Sequence, residues 1–162
     1  CRDVALELMQ SGDPVPNIKI NAEPGLPTLT GVAAEVRALV HVLMTNAVEA
    51  SAESNPANRG GDGDGDGVEG AAQVEVQIRT TDTPAQLQVE VLDRGCGIAS
   101  ELKKKLFTPH FTTKEHGAGL GLYLARRIAV SRYGGDLDLA NREGGGCRAW
   151  LSLKPLQEGD ND

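Results

Sequence analysis

Two short segments of alternating apolar and polar residues, Gln73 to Thr80 (QVEVQIRT) and Gln86 to Asp93 (QLQVEVLD), do most to constrain this chain. A period of two places Val74, Val76 and Ile78, and likewise Leu87, Val89 and Val91, on one face of a pair of strands. Asp82-Thr83-Pro84 between them supplies turn chemistry, so the pair is expected to be an antiparallel hairpin. Such a hairpin has an apolar face that something must cover. From Glu35 to Ser51 (EVRALVHVLMTNAVEAS) the apolar positions Val36, Leu39, Val40, Leu43 and Ala47 recur at three and four residues, which predicts a long amphipathic helix. Asn46 falls at the border of that stripe. A shorter helix is predicted over Asp3 to Gln10, stopped by Ser11-Gly12-Asp13-Pro14, and a last one over about Leu120 to Arg132. Glu101 to Leu106 is expected to form a short basic helix. Ile18-Lys19-Ile20 suggests an edge strand, and Asp136 to Ala140 and Cys147 to Leu153 two more. Five strands with about three main helices predict an α/β two-layer sandwich with one sheet face covered by helices.

The chain has 162 residues, enough for one domain with a real core. The expected boundaries are a linker helix over 1–15, a domain over 16–155 interrupted by a flexible insert at 53–72, and a disordered tail at 156–162. Sixteen Lys and Arg against twenty-three Asp and Glu give a net charge of -7, which argues against a nucleic-acid surface. A polyanionic ligand would have to be held by local backbone donors, a metal or a few basic side chains. Cys1, Cys96 and Cys147 are too scattered for a disulfide framework or a zinc site. There is no signal peptide and no apolar run near the ~18 residues that span a bilayer. Starting at Cys1, the sequence is expected to be a piece of a longer protein. Asp62 to Gly67 matches the opening of a calcium loop, but Gln73 stands where the closing Glu belongs, so an acidic insert is the expected reading.

Four local features carry chemistry. Asn46 offers a carboxamide oxygen of the hard type that Mg²⁺ prefers. Asp93-Arg94-Gly95-Cys96-Gly97-Ile98 ends a strand: its carboxylate can accept from an exocyclic amine, and its glycines admit a flat ring close to the backbone. Leu106 to Lys114 (LFTPHFTTK) holds both phenylalanines of the chain, Phe107 and Phe111, beside Thr112, Thr113 and Lys114. Gly117-Ala118-Gly119-Leu120-Gly121-Leu122 opens a helix, where freed backbone N–H groups and the helix dipole favour phosphate. No apolar strand immediately precedes this run and no Lys-Ser/Thr pair follows it, so neither a Rossmann fingerprint nor a Walker A loop fits.

In this order the four segments resemble the N, G1, F and G2 boxes of the sensor histidine kinases, in the superfamily of gyrase B, Hsp90 and MutL. The likeness covers roughly residues 16 to 154. It implies a Bergerat-type ATP-binding fold with a mixed, mostly antiparallel sheet, and ATP and Mg²⁺ as cofactors. Asn46 would ligate the metal and Asp93 would hold the adenine amine, with Gly95, Gly97 and Ile98 around the base. Phe107 and Phe111 would anchor a lid, mobile without ligand over about Thr112 to Ala118. Thr112, Thr113 and Lys114 would lie on its phosphate side, and Gly117, Gly119, Leu120, Gly121 and Leu122 would surround the phosphates.

The implied activity is an ATP-dependent protein-histidine kinase acting on a phosphoacceptor hairpin absent from this chain, with a response regulator downstream. The linker helix over 1–15 would lead to that hairpin. None of His41, His110 and His116 starts a phosphoacceptor motif, so the isolated chain is expected to be inactive and monomeric, and the full-length parent a homodimer. Its expected location is cytoplasmic, with membrane anchoring of the parent left open. The sequence departs from the family at Val42, where a second Asn or a His often stands, and at Glu49, where a Lys is frequent. His41 is one residue, about 100° of helix rotation, away from the first of these. His110 and Ala118 replace a frequent Phe and Thr. These departures motivate a second reading, a nucleotide-binding regulatory module without kinase activity; a third is a serine kinase of the anti-sigma type.

Overall fold

The computed structural model describes residues 1–11, 15–29, 31–54, 73–82, 85–114 and 117–154. The proposed insert and tail, the calcium-loop likeness and His116 lie wholly or almost wholly outside these residues.

The apolar alternation becomes a five-stranded sheet in the order β1-β2-β3-β5-β4, with β1 over Asn17–Ala22, β2 over Gln73–Asp82, β3 over Ala85–Asp93, β4 over Asp136–Asn141 and β5 over Cys147–Leu153. β2 and β3 pair antiparallel with Val76 opposite Val91 and Ile78 opposite Val89, so the two predicted apolar faces coincide. β3–β5 and β5–β4 are antiparallel too, whereas β1 runs parallel to β2, with Ile18 opposite Val74 and Ile20 opposite Val76. A parallel neighbour requires a crossover, and helix α2 (Ala33–Glu53) lies within that connection.

Helix α1 (Arg2–Ser11), α2 and α3 (Gly121–Tyr133) supply the second layer. Val4 and Ala5 of α1, Leu39, Val40, Leu43 and Met44 of α2, and Ala125 and Ala129 of α3 join Val76, Val91, Leu137 and Leu151 of the sheet in one buried core. α1 is thus packed onto the domain, and Arg37 of α2 donates to its Glu7 at 2.7 Å. α3 ends at Gly134, whose φ of 54° gives the left-handed cap for which glycine is suited. The predicted basic helix contracts to a 3₁₀ turn at Lys103–Lys105. Three consecutive like charges disfavour a longer helix there, and none of the three lysines is buried.

The opposite sheet face is polar. Glu90 is only 4% exposed, and its carboxylate is shared by the guanidinium groups of Arg79 and Arg148, while Arg148 also stacks over Trp150. No helix among the described residues is long and apolar enough to cross a membrane.

Candidate functional site

A cavity of about 830 Å³ opens beside α2, within the range of small-molecule and cofactor pockets. Its wall is assembled from four stretches far apart in sequence: positions 41, 42, 45, 46 and 49 of α2, residues 96–99 with Leu102 and Leu106, residues 111–114, and residues 117–122. Of the residues singled out from sequence, Asn46, Gly97, Ile98, Phe111, Thr112, Thr113, Lys114, Gly117, Gly119, Leu120, Gly121 and Leu122 line it.

Asp93, Gly95 and Phe107 do not contribute to that wall. Asp93 is 5% exposed at the end of β3, and its Oδ1 accepts from two backbone donors, Gly95 N at 2.8 Å and Cys147 N at 3.0 Å. Among the described residues Oδ2 receives no hydrogen bond, so one half of the carboxylate is fixed and the other is left to accept. Burial pushes the Asp93 pKa up; the two amide bonds and the nearby Arg142 guanidinium oppose that shift. Burial pushes the neighbouring Cys147 thiol further, to about 12, with the Asp93 charge adding to it.

Gly95 packs against α2, where a Cβ would come within 2.8 Å of the Ala50 Cβ and carbonyl oxygen. Ser51 ties the same turn to the helix, accepting from Arg94 N at 3.3 Å and donating to Gln73 O at 3.2 Å. Phe107 lies under the Arg126 guanidinium, 4.5 Å from carbon to ring centroid, and Arg126 in turn grips Asp136 through Nε at 2.9 Å. Phe107 therefore fastens its segment to α3 and β4, while Phe111 faces the cavity.

The loop that follows Asp93 is held from the far strand. Asn141 accepts from Ile98 N at 2.7 Å and donates to Ile98 O at 2.8 Å, a two-point clamp on the residue beside Gly97. Nothing in the sequence pattern pointed to Asn141, because its role depends on β4 ending opposite that loop. At the other rim Gly119 has φ 66°, and a Cβ there would meet the His110 carbonyl carbon at 2.5 Å and Phe111 N at 2.7 Å. Only glycine fits where the two loops cross.

On α2, residues 42, 45, 46 and 49 fall at helical spacing along the wall. Val42 faces Gly121, whose added Cβ would lie 3.4 Å from Val42 Cγ1, so this stretch of the wall is apolar. His41 lies on the wall with Nδ1 3.3 Å from Thr45 Oγ1. Lys114 Nζ donates to Asn46 Oδ1 at 2.7 Å and also pairs with Glu49 Oε2. No cluster of three or more His, Cys, Asp or Glu suited to a metal occurs among the described residues. Asn46 Oδ1 and Glu49 Oε2 nevertheless present two hard oxygens to one cation, a set that fits Mg²⁺, which keeps several waters and is completed by phosphate oxygens.

Glycine-bordered loops and a helix start set around one cavity on a helix-backed sheet, with a buried carboxylate behind one of those loops, are the architecture of a nucleotide-binding ATPase domain. Residues 31–157 match the model of the histidine kinase-, DNA gyrase B- and HSP90-like ATPases, and the chain belongs to that family. Its relatives include the sensor histidine kinase ZraS of Escherichia coli O157:H7, 41% identical over 45% of this chain and 16% of ZraS. Another is the histidine-protein kinase AtoS of Escherichia coli strain K12, 41% identical over 47% of this chain and 12% of AtoS. A longer match reaches the sensor protein TdiS of Thauera aromatica, 26% identical over 85% of this chain and 23% of TdiS. The chain thus spans less than a quarter of each of these relatives.

Among solved structures, the catalytic domain of histidine kinase ThkA shares the fold with TM-score 0.73 at 22% identity, covering 95% of this chain and 89% of that one. Full-length ShkA in complex with AMPPNP gives 0.72 at 22% identity over 94% of this chain and 28% of ShkA.

Proposed function

We propose that this chain binds ATP with Mg²⁺ in the α2 cavity and is the catalytic domain of a two-component sensor histidine kinase. The observation that carries this reading is the convergence of residues 46, 97–98, 111–114 and 117–122 on one cavity wall. Asp93 Oδ2 accepts from the adenine amine, while Gly95, Gly97 and Ile98 border the base. The backbone of Gly117, Gly119, Leu120, Gly121 and Leu122 and the start of α3 surround the phosphates. Phe107 and Phe111 anchor the loop bearing Thr112, Thr113 and Lys114. Asn46 is a metal ligand, and the metal supplies neutralisation of phosphate charge when bound.

Phosphoryl transfer rests mostly on positioning and charge neutralisation. The acceptor is a histidine on a dimerising helical hairpin that leads into α1, and the phosphoryl group passes on to a response regulator. His41 on the cavity wall and the exposed His110 stay within the nucleotide domain and are not acceptors. The glutamate carboxylate at 49 and the apolar contact at Val42 support a second reading, a nucleotide-binding regulatory module without transfer. The deciding experiment joins this chain to its own upstream helices and incubates it with γ-labelled ATP and Mg²⁺. Acid-labile, base-stable label on an upstream histidine supports the kinase; tight nucleotide binding with no label leaves the regulatory module; no nucleotide binding contradicts both.

A further inference from the structure

Two oxygens of one helix converge on a single cation. Asn46 Oδ1 and Glu49 Oε2 both contact Lys114 Nζ, and their residues, three apart on α2, share one helix face. All three belong to the cavity wall. Two local hydrogen bonds aim the Lys114 backbone: its N donates to Thr112 Oγ1 at 3.0 Å and its O accepts from Gly117 N at 3.2 Å. A lysine ammonium is a compact point charge that can sit on a pair of oxygens suited to a hard metal ion. Two cations cannot share that seat, since like charges a few ångströms apart repel strongly beside a protein surface.

We propose that Asn46 and Glu49 form a two-oxygen cation seat, filled by Lys114 without metal and ceded to Mg²⁺ when nucleotide binds. This inference rests on the nucleotide reading above and adds Glu49 to its metal ligands. It gives the carboxylate a role that a polyphosphate site otherwise makes costly. Bare, Glu49 would repel phosphates; Lys114 neutralises it in one state and the metal in the other. Once displaced, the ammonium stays tethered beside Gly117 at the same cavity and can turn towards the phosphates. Glu49 thereby makes nucleotide affinity depend on the metal, and Lys114 competes with that metal.

The test compares the parent chain with Glu49→Gln and Lys114→Met. Both side chains are about two-fifths exposed, and equal thermal melts would establish that the variants fold. One arm titrates Mn²⁺ alone and follows paramagnetic broadening of the amide resonances of residues 46 to 49. The other measures the affinity of a nonhydrolysable ATP analogue in Mg²⁺ and in chelator. We expect Lys114→Met to take Mn²⁺ at roughly tenfold lower concentration than the parent, and Glu49→Gln to lose the broadening. We also expect the Mg²⁺-to-chelator affinity ratio of Glu49→Gln to fall at least roughly tenfold, largely through tighter metal-free binding. An unchanged ratio in Glu49→Gln, with parental nucleotide affinity, overturns the seat and leaves the nucleotide reading standing. Failure of the parent to bind the analogue overturns that reading, and Mn²⁺ broadening that ignores both substitutions overturns the seat by itself.

Discussion

Replacing Asp93 by Asn separates recognition from stability. The two amides on Oδ1, from Gly95 at 2.8 Å and Cys147 at 3.0 Å, require an acceptor at that position, so the Asn carboxamide is held with its oxygen there. Its NH₂ then occupies the place of Oδ2, turning the acceptor offered to an adenine amine into a donor. A hydrogen bond to a charged group is worth about 1.5–3 kcal/mol, which corresponds to an affinity loss of about 10- to 150-fold. The fold should not suffer, because burial raises the Asp93 pKa.

The sign follows from linkage. A carboxyl whose folded pKa lies above its unfolded value contributes stability at low pH and loses it as pH rises through the folded pKa. A permanently neutral Asn keeps that contribution at neutral pH, so the melting temperature at pH 7.5 should be equal to or above the parent's. Calorimetric titration with an ATP analogue and Mg²⁺, paired with thermal melts from pH 4 to 8, reads both quantities. The parent's affinity should climb as pH rises through the raised Asp93 pKa, and the variant's should not. Binding within twofold of the parent would refute the adenine assignment, and a large loss of stability at neutral pH would refute the burial argument.

Three further outcomes follow from the loops. Gly119→Ala places a methyl against the His110 and Phe111 backbone at a positive φ, which should cost roughly 1–3 kcal/mol of stability. Its melt should shift down by several degrees, and an unchanged melt would show that the loops can part freely. Asn141→Ala removes both hydrogen bonds to Ile98 and should weaken nucleotide binding roughly threefold to tenfold through loss of a preformed loop, measured by the same titration. Cys96 is exposed on the cavity wall whereas Cys147 is buried with its thiol held at about 12. Maleimide should therefore label Cys96 first, nucleotide with Mg²⁺ should slow that labelling, and Cys147 should react only on unfolding. Peptide mass spectrometry distinguishes the sites.

The sequence made the strands and helices legible because each pays its way through a simple period. The β2–β3 hairpin alternates without a break, and α2 repeats its apolar residues so regularly that its predicted bounds fall within two residues of those observed. Met44, fully buried, escaped the predicted stripe because it sits just beside the counted positions. The glycine-rich loops were visible for a different reason: glycine marks places where backbone must come close, as Gly119 does against Phe111. Features that depend on two distant elements meeting carried no local signal. Asn141 clamps Ile98 only because β4 ends beside the loop after β3, and Ser51 bridges Gln73 and Arg94 only because α2 lies across both. The expected helix over Glu101 to Leu106 closes as a single tight turn at Lys103–Lys105, too short a segment to propagate as an α-helix.

The most direct measurement is a backbone amide NMR titration of the full chain with a nonhydrolysable ATP analogue and Mg²⁺. Saturable shifts should concentrate at residues 46–49, 93–98, 111–114 and 117–122, while the Glu90, Arg148 and Trp150 face of the sheet stays still. A spectrum that does not change, or one whose changes gather on that outer face, would contradict a nucleotide site in the α2 cavity.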